Sequence, residues 1–269
     1  MTLEEKFNKL KNRLKEMDRV IIAFSGGVDS TFLLKAASVS GLSKVLAVTG
    51  RSESMPEEEF SFSGEITSSL NLRHRIIETN ELENTNYSSN PPDRCYFCKK
   101  ELFGRIREIA NKEDFPFILD GTNADDAWDR RPGRRAAEEE GVESPLLDAG
   151  LSKDDIRKLS KILDLPTWNK PATPCLSSRF PYGQKITAEA LERVNKAETF
   201  IRKFGVKELR VRNHSDVARI EILPDDFPKL MDNASRKEIV DFLKSLGFKY
   251  VAIDLQGFRS GSFNELLLK

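Results

Sequence analysis

The chain has 269 residues, long enough for a substantial core and most naturally divided into two domains. Its 43 basic side chains match 43 acidic ones, so no overall positive field exists to hold nucleic acid, and no nucleic-acid partner is expected. No apolar run approaches the roughly 20 residues of a membrane span, and the charged N-terminus lacks a signal peptide's apolar core, which excludes a membrane partner and points to the cytoplasm.

Thr2-x-x-Glu5 is a capping box, and Leu3, Phe7, Leu10, Leu14 and Met17 follow at helical spacing, predicting an amphipathic first helix. Short β-type runs at 19–24, 44–49, 73–78 and 116–120 then alternate with helical segments near 30–38, 56–70 and 97–112. This order predicts an α/β fold with a parallel sheet flanked by helices and a ligand outside the C-terminal ends of the strands.

At the first such end, Val20-Ile21-Ile22-Ala23-Phe24 leads into Ser25-Gly26-Gly27-Val28-Asp29-Ser30, and Thr31-Phe32-Leu33-Leu34 follows. A buried strand thus turns through small residues into a helix. Two glycines admit conformations a Cβ forbids, and the loop N–H groups, the helix N-terminus and the hydroxyls of Ser25, Ser30 and Thr31 can face an anion. A carboxylate beside a phosphate repels it, so Asp29 is expected to work through Mg²⁺ or through the turn's own hydrogen bonds. The segment has neither the Lys-Ser/Thr ending of a Walker A loop nor the G-x-G-x-x-G spacing of a dinucleotide fold.

Gly121-Thr122-Asn123-Ala124-Asp125-Asp126 follows Phe117-Ile118-Leu119-Asp120, another strand end. Arg130, Arg131, Arg134 and Arg135 ahead of Glu138, Glu139 and Glu140 read as a solvated loop and helix. A helix near 152–164 leads into the proline-rich stretch Pro166–Pro174, too broken for regular structure, and the domains are set at 1–185 and 186–269. The second, smaller unit reads as α/β, with helices at 187–204 and 235–246 and β-type runs at 206–213, 216–223 and 248–254. In Leu209-Arg210-Val211-Arg212 the period of two puts both arginines on one strand face, where planar guanidiniums can clasp a phosphate.

Cys95, Cys98 and Cys175 are all the cysteines. Cys95-Tyr96-Phe97-Cys98 opens a helix, where the dipole and Arg94, Lys99 and Lys100 favour thiolates. Spacing does not say whether Cys175, in Pro174-Cys175-Leu176-Ser177-Ser178-Arg179, joins the pair. Three thiolates together would hold a [4Fe-4S] cluster with one iron open to exogenous sulfide. The rivals are a structural zinc, for which His74 and His214 have no ligand spacing; a redox pair or disulfide; and a reactive Cys175 beside two packing cysteines. Heavy charge with glutamine only at Gln184 and Gln256 is a heat-adapted bias, and hyperthermophile cytosols tolerate disulfides.

The phosphate loop resembles the SGGxDS signature of the PP-loop ATP pyrophosphatases, which split ATP between the α and β phosphates, adenylate a carboxylate or carbonyl oxygen and let a nucleophile displace AMP. Joined by Gly121-Thr122-Asn123 and Pro174-Cys175-Leu176-Ser177-Ser178-Arg179, in this order and ahead of a compact second domain, it resembles the LarE family of nickel-pincer nucleotide biosynthesis. The resemblance covers essentially the whole chain and is tighter over the first 185 residues. It implies a PP-loop domain of the adenine nucleotide α-hydrolase type, ATP and Mg²⁺ as cofactors, and conversion of a carboxylate of pyridinium-3,5-biscarboxylate mononucleotide to a thiocarboxylate. One form of the family gives up the sulfur of the cysteine matching Cys175, leaving dehydroalanine. The other adds a CxxC pair and carries a [4Fe-4S] cluster, and Cys95 and Cys98 place this chain with it.

The resemblance further implies an ATP cradle of Ser25, Gly26, Gly27, Val28, Asp29 and Ser30 with Gly121, Asn123 and Asp126, Asp125 assisting. Lys100 faces the pyrophosphate side, and Arg179 stands beside Cys175 as an anion-binding group. Arg210, Arg212, Arg259, Ser178, Glu198 and Glu221 fall to the mononucleotide, the last two as family positions near the substrate. A homo-oligomer is expected, the second domain serving substrate binding and assembly, and the sulfide donor is left unassigned. Three alternatives stay open at this stage: a tRNA thiolase, which the balanced charge and missing zinc-ribbon cysteines argue against; an amide-forming synthetase; and a nucleotide-sensing module without turnover.

Overall fold

A computed structural model describes residues 1–128, 132–259 and 262–263. Arg130 and Arg131 of the charge-segregated stretch, and Ser260 and Gly261 after Arg259, lie outside the described residues. The chain divides into two compact units, Met1–Asn84 with Asp93–Thr173, and Thr85–Pro92 with Pro174 onward.

The first unit contains α1 (Leu3–Met17), β1 (Arg19–Ala23), α2 (Val28–Val39), β2 (Lys44–Arg51), α3 (Glu57–Ser69) and β3 (Arg73–Glu78). After the excursion of α4 (Thr85–Ser88) into the second unit come α5 (Arg94–Glu113), β4 (Phe117–Leu119), α6 (Pro132–Glu139), β5 (Val142–Glu143), α7 (Pro145–Asp148) and α8 (Lys153–Ile162). The five strands form one parallel sheet in the order β3-β2-β1-β4-β5. Val20, Ile21 and Ile22 are buried on both faces, which is why the central strands read as unbroken apolar runs. Val20, Ile22, Ala47 and Leu119 face a core built with α1, α2, α3 and α8, whereas Ile21, Leu46, Val48 and Ile118 face Phe103, Ile106 and Ala110 of α5. The α1 capping box forms as expected, with Glu5 N–H on Thr2 Oγ1 at 3.2 Å and Thr2 N–H on Glu5 Oε2 at 2.8 Å. The two-residue β5 was not anticipated, since so short a run carries no period.

The second unit contains α4, α9 (Ala188–Arg202), β6 (Leu209–His214), β7 (Val217–Ile222), α10 (Phe227–Met231), α11 (Asn233–Ser245) and β8 (Tyr250–Ile253). Strand β7 is central, antiparallel to β6 and parallel to β8. Leu209, Val211, Ile220 and Ile222 close on Ala197, Ile201, Ile239 and Leu243 of α9 and α11. The observed division falls at Thr173/Pro174, earlier than the 185/186 junction placed from sequence, and takes Thr85–Pro92 with it. Hydrogen bonds explain the grouping: Ile186 N–H donates to Ser88 O at 2.8 Å, Gly183 N–H to Asn90 O at 2.9 Å, and Asn90 Nδ2 to Pro181 O at 2.7 Å. Among the described residues no helix is long and apolar enough to cross a membrane.

Phe32, fully buried on α2 with its ring 5.8 Å from that of Phe7, ties α1 to the helix that carries the phosphate loop. Phe32→Ala is expected to cost about 3–5 kcal/mol, read as a lowered denaturant midpoint; a loss below about 1 kcal/mol would show that this packing is not holding α2 in place.

Candidate functional site

The phosphate loop begins where the β1 ladder stops. Phe24 N–H still reaches Val48 O at 2.8 Å, and Gly26 then turns the chain with φ +70, a left-handed conformation suited to glycine. Gly27 is the N-cap of α2 and has no side chain to satisfy the first-turn N–H groups, which leaves those donors for an anion. The hydroxyls of Ser25 and Ser30 stand 3.1 Å apart, and Ser30 Oγ also reaches Gly27 O at 3.3 Å. Thr31 is fully buried, with no hydrogen-bond partner for Oγ1, so it does not join those two at the loop's surface. A Cβ on Gly121 would come within 3.0 Å of Ser30 N and 3.3 Å of Asp29 C, so the 121–126 segment lies directly against this loop.

Asp29 Oδ2 accepts from Lys153 Nζ at 2.6 Å, while Oδ1 is buried with no partner. Burial pushes its pKa above the ordinary aspartate value, Lys153 works against that shift, and nearby Asp126 adds to it. A buried carboxylate oxygen without a donor fits a hard cation such as Mg²⁺. Lys153 opens α8 behind the capping box of Ser152 and Asp155, and its N–H donates to Asp125 Oδ2 at 2.8 Å. Asp126 accepts from Asn123 N–H at 3.1 Å, and Asn123 Oδ1 accepts from Asp125 N–H at 2.9 Å, so this turn places Lys153 through its own hydrogen bonds. Lys170 Nζ reaches Gly26 O at 3.2 Å and Glu59 Oε2 at 2.8 Å. Neither lysine carries a signal in the sequence that marks it for the site. The helix expected near 152–164 does not tell what its first residues touch, and Lys170 lies in the proline-rich stretch, where no periodicity assigns a direction.

Lys100 is held by Glu139 at 3.0 Å and Glu140 at 2.7 Å, and these hydrogen bonds raise its pKa. It is therefore engaged by carboxylates of α6 and its C-terminal end. Cys95 is exposed and Cys98 half-buried, three residues apart in the first turn of α5. Cys175, half-buried, belongs to the second unit, where it is the N-cap of a single-turn 3-10 helix, Leu176–Arg179. Three thiols are a donor set that fits an iron–sulfur cluster in chemistry. Among the described residues no three His, Cys, Asp or Glu side chains are gathered to hold a metal ion.

In the second unit the predicted anion-binding residues stand in a web of buried ion pairs. Arg179 is fully buried and bidentate to Glu198, with both N–H···O distances 2.8 Å. Its Nη1 donates to Pro174 O at 2.7 Å, Cys175 O at 3.1 Å and Ser178 Oγ at 2.9 Å, so Arg179 ties down the turn carrying Cys175. Arg212 donates to Glu221 Oε2 at 2.9 Å, Ser178 O at 2.7 Å and Ser262 Oγ at 2.9 Å, and Arg219 takes the other oxygen of Glu221 at 2.8 Å. Arg210 lies beside Arg212 on the face of β6 away from the apolar core, over the ring of Phe258 at 4.9 Å. Burial, then the positive charge of Arg179, pull its pKa down to about 10 against the attraction of Glu198. Arg259 follows Phe258, whose N–H is fixed on Ile222 O at 2.8 Å. Glu198 and Glu221, expected near the substrate, hold the arginines.

No protein-family model matches the chain. Over 273 aligned residues it is 40% identical to the pyridinium-3,5-bisthiocarboxylic acid mononucleotide synthase of Lactiplantibacillus plantarum, covering 100% of this chain and 97% of that one. An uncharacterized protein of Synechocystis is 43% identical over 268 residues, 99% of this chain and 100% of its own. An uncharacterized protein of Methanocaldococcus jannaschii is 34% identical over 263 residues, 97% and 100% respectively.

The raised pKa of Asp29 fixes the sign of its effect on stability. Folding favours its neutral form, so its contribution is fullest below the unfolded-state pKa and is given up as pH rises through the folded-state value. Asp29→Asn is therefore expected to leave the melting temperature at pH 7 unchanged or raised while weakening Mg²⁺-dependent nucleotide binding about tenfold or more. A lowered melting temperature with undiminished nucleotide affinity would contradict both halves.

Proposed function

The chain belongs to the LarE family, and we propose that it is an ATP-dependent sulfur transferase that adenylates a carboxylate of pyridinium-3,5-biscarboxylate mononucleotide and converts it to a thiocarboxylate. The observation that carries this reading is the loop of residues 25–30, where two hydroxyls and uncapped helix N–H groups converge beside the half-buried Asp29 carboxylate, whose buried Oδ1 has no partner. The relative from Lactiplantibacillus plantarum is named for a product with two thiocarboxylates, which supports the choice of acceptor and a second round on the remaining carboxylate.

The substrate carboxylate attacks the α-phosphorus and pyrophosphate leaves; a sulfur nucleophile then adds to the acyl carbon and AMP departs. The loop N–H groups, Ser25 and Ser30 bind the departing pyrophosphate, and Asp29, through the oxygen that lacks a partner, would hold Mg²⁺, which would supply positive charge to the leaving group. Lys153, already on Asp29, supplies the second positive charge as negative charge builds on the leaving group. Arg210 takes the mononucleotide phosphate, an anion that offsets the burial, and after it the repulsion from Arg179, that depress its pKa. Arg212 contributes the hydrogen-bonded frame around Glu221. Cys95, Cys98 and Cys175 would hold a [4Fe-4S] cluster, which when bound supplies sulfide to the acyl adenylate.

Incubation with ATP and the biscarboxylate mononucleotide is expected to yield AMP and pyrophosphate. ADP as product, or thiolation of tRNA in place of the mononucleotide, would overturn the reading. Arg210→Ala should raise the KM for the mononucleotide at least about tenfold with ATP affinity nearly unchanged, because a charge-assisted hydrogen bond contributes about 1.5–3 kcal/mol. For the sulfur source, replacing any one cysteine by Ala is expected to deplete iron from anaerobically prepared protein. Full activity in Cys95→Ala, with a mass loss of about 34 Da on turnover, would assign the sulfur to Cys175 alone.

A further inference from the structure

His74 lies on β3, outside every group of residues given a role above, yet it makes three contacts around the root of the phosphate loop. Its Nε2 is 2.8 Å from Thr49 Oγ1 on β2, and its Nδ1 is 3.1 Å from Thr67 Oγ1 on α3. Its ring meets that of Phe24 edge-on, with centroids 6.0 Å apart. The parallel register aligns His74 with Ala47, which puts Thr49 two residues further along β2 on the same face of the sheet. Thr49 and Thr67 are both 1% exposed, so their hydrogen bonds have no water to replace them.

Proton accounting gives this chain a direction. Thr49 Oγ1 lies 2.7 Å from Phe24 O, and a carbonyl only accepts, so the single hydroxyl proton of Thr49 goes there. Thr49 must then accept from His74, which makes Nε2 the protonated ring nitrogen. Burial lowers the pKa of His74 and so disfavours a second ring proton, which leaves Nδ1 an acceptor 3.1 Å from Thr67 Oγ1, whose single proton is shared with the carbonyls of Ser63 at 3.1 Å and Gly64 at 3.0 Å. Phe24 is the residue between the end of the β1 ladder and Ser25, and its carbonyl takes a side-chain hydrogen bond where the strand ladder has stopped. On the far side of the loop, Gly26 lies against α3, where a Cβ would meet Ser63 at 3.5 Å, one helical turn from Thr67.

We propose that His74 is a positioning residue for the phosphate loop: acting through Thr49, it orients the Phe24 peptide and so sets the angle at which residues 25–30 leave β1 and meet nucleotide phosphate. The imidazole joins β3, β2 and α3 to one carbonyl, so the loop's N–H groups are aimed before nucleotide arrives. This inference rests on the reading that the loop binds ATP.

The test uses the full chain with MgATP, measuring ATP affinity by equilibrium titration and melting temperature by calorimetry. Thr49→Val, which keeps the shape and removes the hydroxyl, and His74→Leu are each expected to weaken ATP binding about tenfold in folded protein. The double variant should be no weaker than either single one, because both break the same chain. Thr49→Ser, which keeps the hydroxyl, should stay close to wild type. His74→Gln, whose amide nitrogen reaches the Nε2 position, should recover most of the affinity, and His74→Asn, which reaches only the Nδ1 position, should not. If His74→Leu does not fold, the Thr49→Val and Thr49→Ser pair with His74→Gln still decides. Wild type that binds no MgATP would reject the nucleotide reading and this inference with it. Wild type that binds, with unchanged affinity in folded Thr49→Val or with additive losses in the double variant, would reject this inference alone.

Discussion

Strands β1 and β4 lie side by side in the sheet, and the chain leaves their C-terminal ends in opposite directions, toward β2 on one side and β5 on the other. The two departing loops must share the space above one strand pair. Gly121 lets them meet without displacing either loop, since a Cβ there would lie 3.0 Å from Ser30 N, closer than ordinary van der Waals contact. That close approach packs the 121–126 turn against the start of α2, and the turn hands its Asp125 carboxylate to the first N–H of α8. Lys153 at that first position is thereby delivered to Asp29. Parallel α/β sheets bind their ligands at the point where crossovers diverge, and here that point carries the Gly121 contact together with the Asp29–Lys153 pair.

The two units treat their charges in opposite ways. Around the phosphate loop the pairing is incomplete: Asp29 has one oxygen on Lys153 and one buried with no donor, and burial raises its pKa. An incomplete shell is what a site needs if a cation and phosphates are to finish it. In the second unit, Arg179 with Glu198, and Arg212 and Arg219 with Glu221, are closed circuits in which each carboxylate oxygen has a guanidinium or N–H donor. At Arg210, burial first and then the neighbouring positive charge of Arg179 lower the pKa to about 10. A positive group so placed gains most from an incoming anion.

The layered first unit was legible because its elements carry period and punctuation: the Thr2 and Glu5 box, the apolar run through Ile21 and Ile22, and the small residues from Ser25 to Ser30. The alternation along Leu209 to Arg212 likewise gave the strand face correctly, with Leu209 and Val211 in the core. Long-range pairing was not legible. Nothing local in Glu198 marks it as the partner of Arg179, and Lys153 meets Asp29 from 124 positions away. The grouping of Thr85–Pro92 with the later unit was hidden for the same reason, since it rests on hydrogen bonds such as Ile186 N–H to Ser88 O between segments distant in sequence. Period and capping report what a residue does within its own element; which carboxylate a distant arginine finds is decided by the fold.

A fully buried arginine–glutamate pair is a poor device for stability alone, because desolvating both charges offsets most of their attraction, and well-packed apolar residues often do as well. The geometry of Arg179 supplies another reason for the pair. Glu198 spends both oxygens on the Nε and Nη2 edge of the guanidinium, which leaves Nη1 directed at the carbonyls of Pro174 and Cys175 and at Ser178 Oγ. Glu198 is itself fixed by Val211 N–H in β6, so the chain of bonds runs from a strand, through a carboxylate and an arginine, to the backbone of Cys175. The residues just before Cys175, from Pro166 to Thr173, form no helix or sheet long enough to aim a side chain. The buried pair therefore does for the cysteine turn what a regular element does elsewhere, anchoring it to the β-sheet of its own unit.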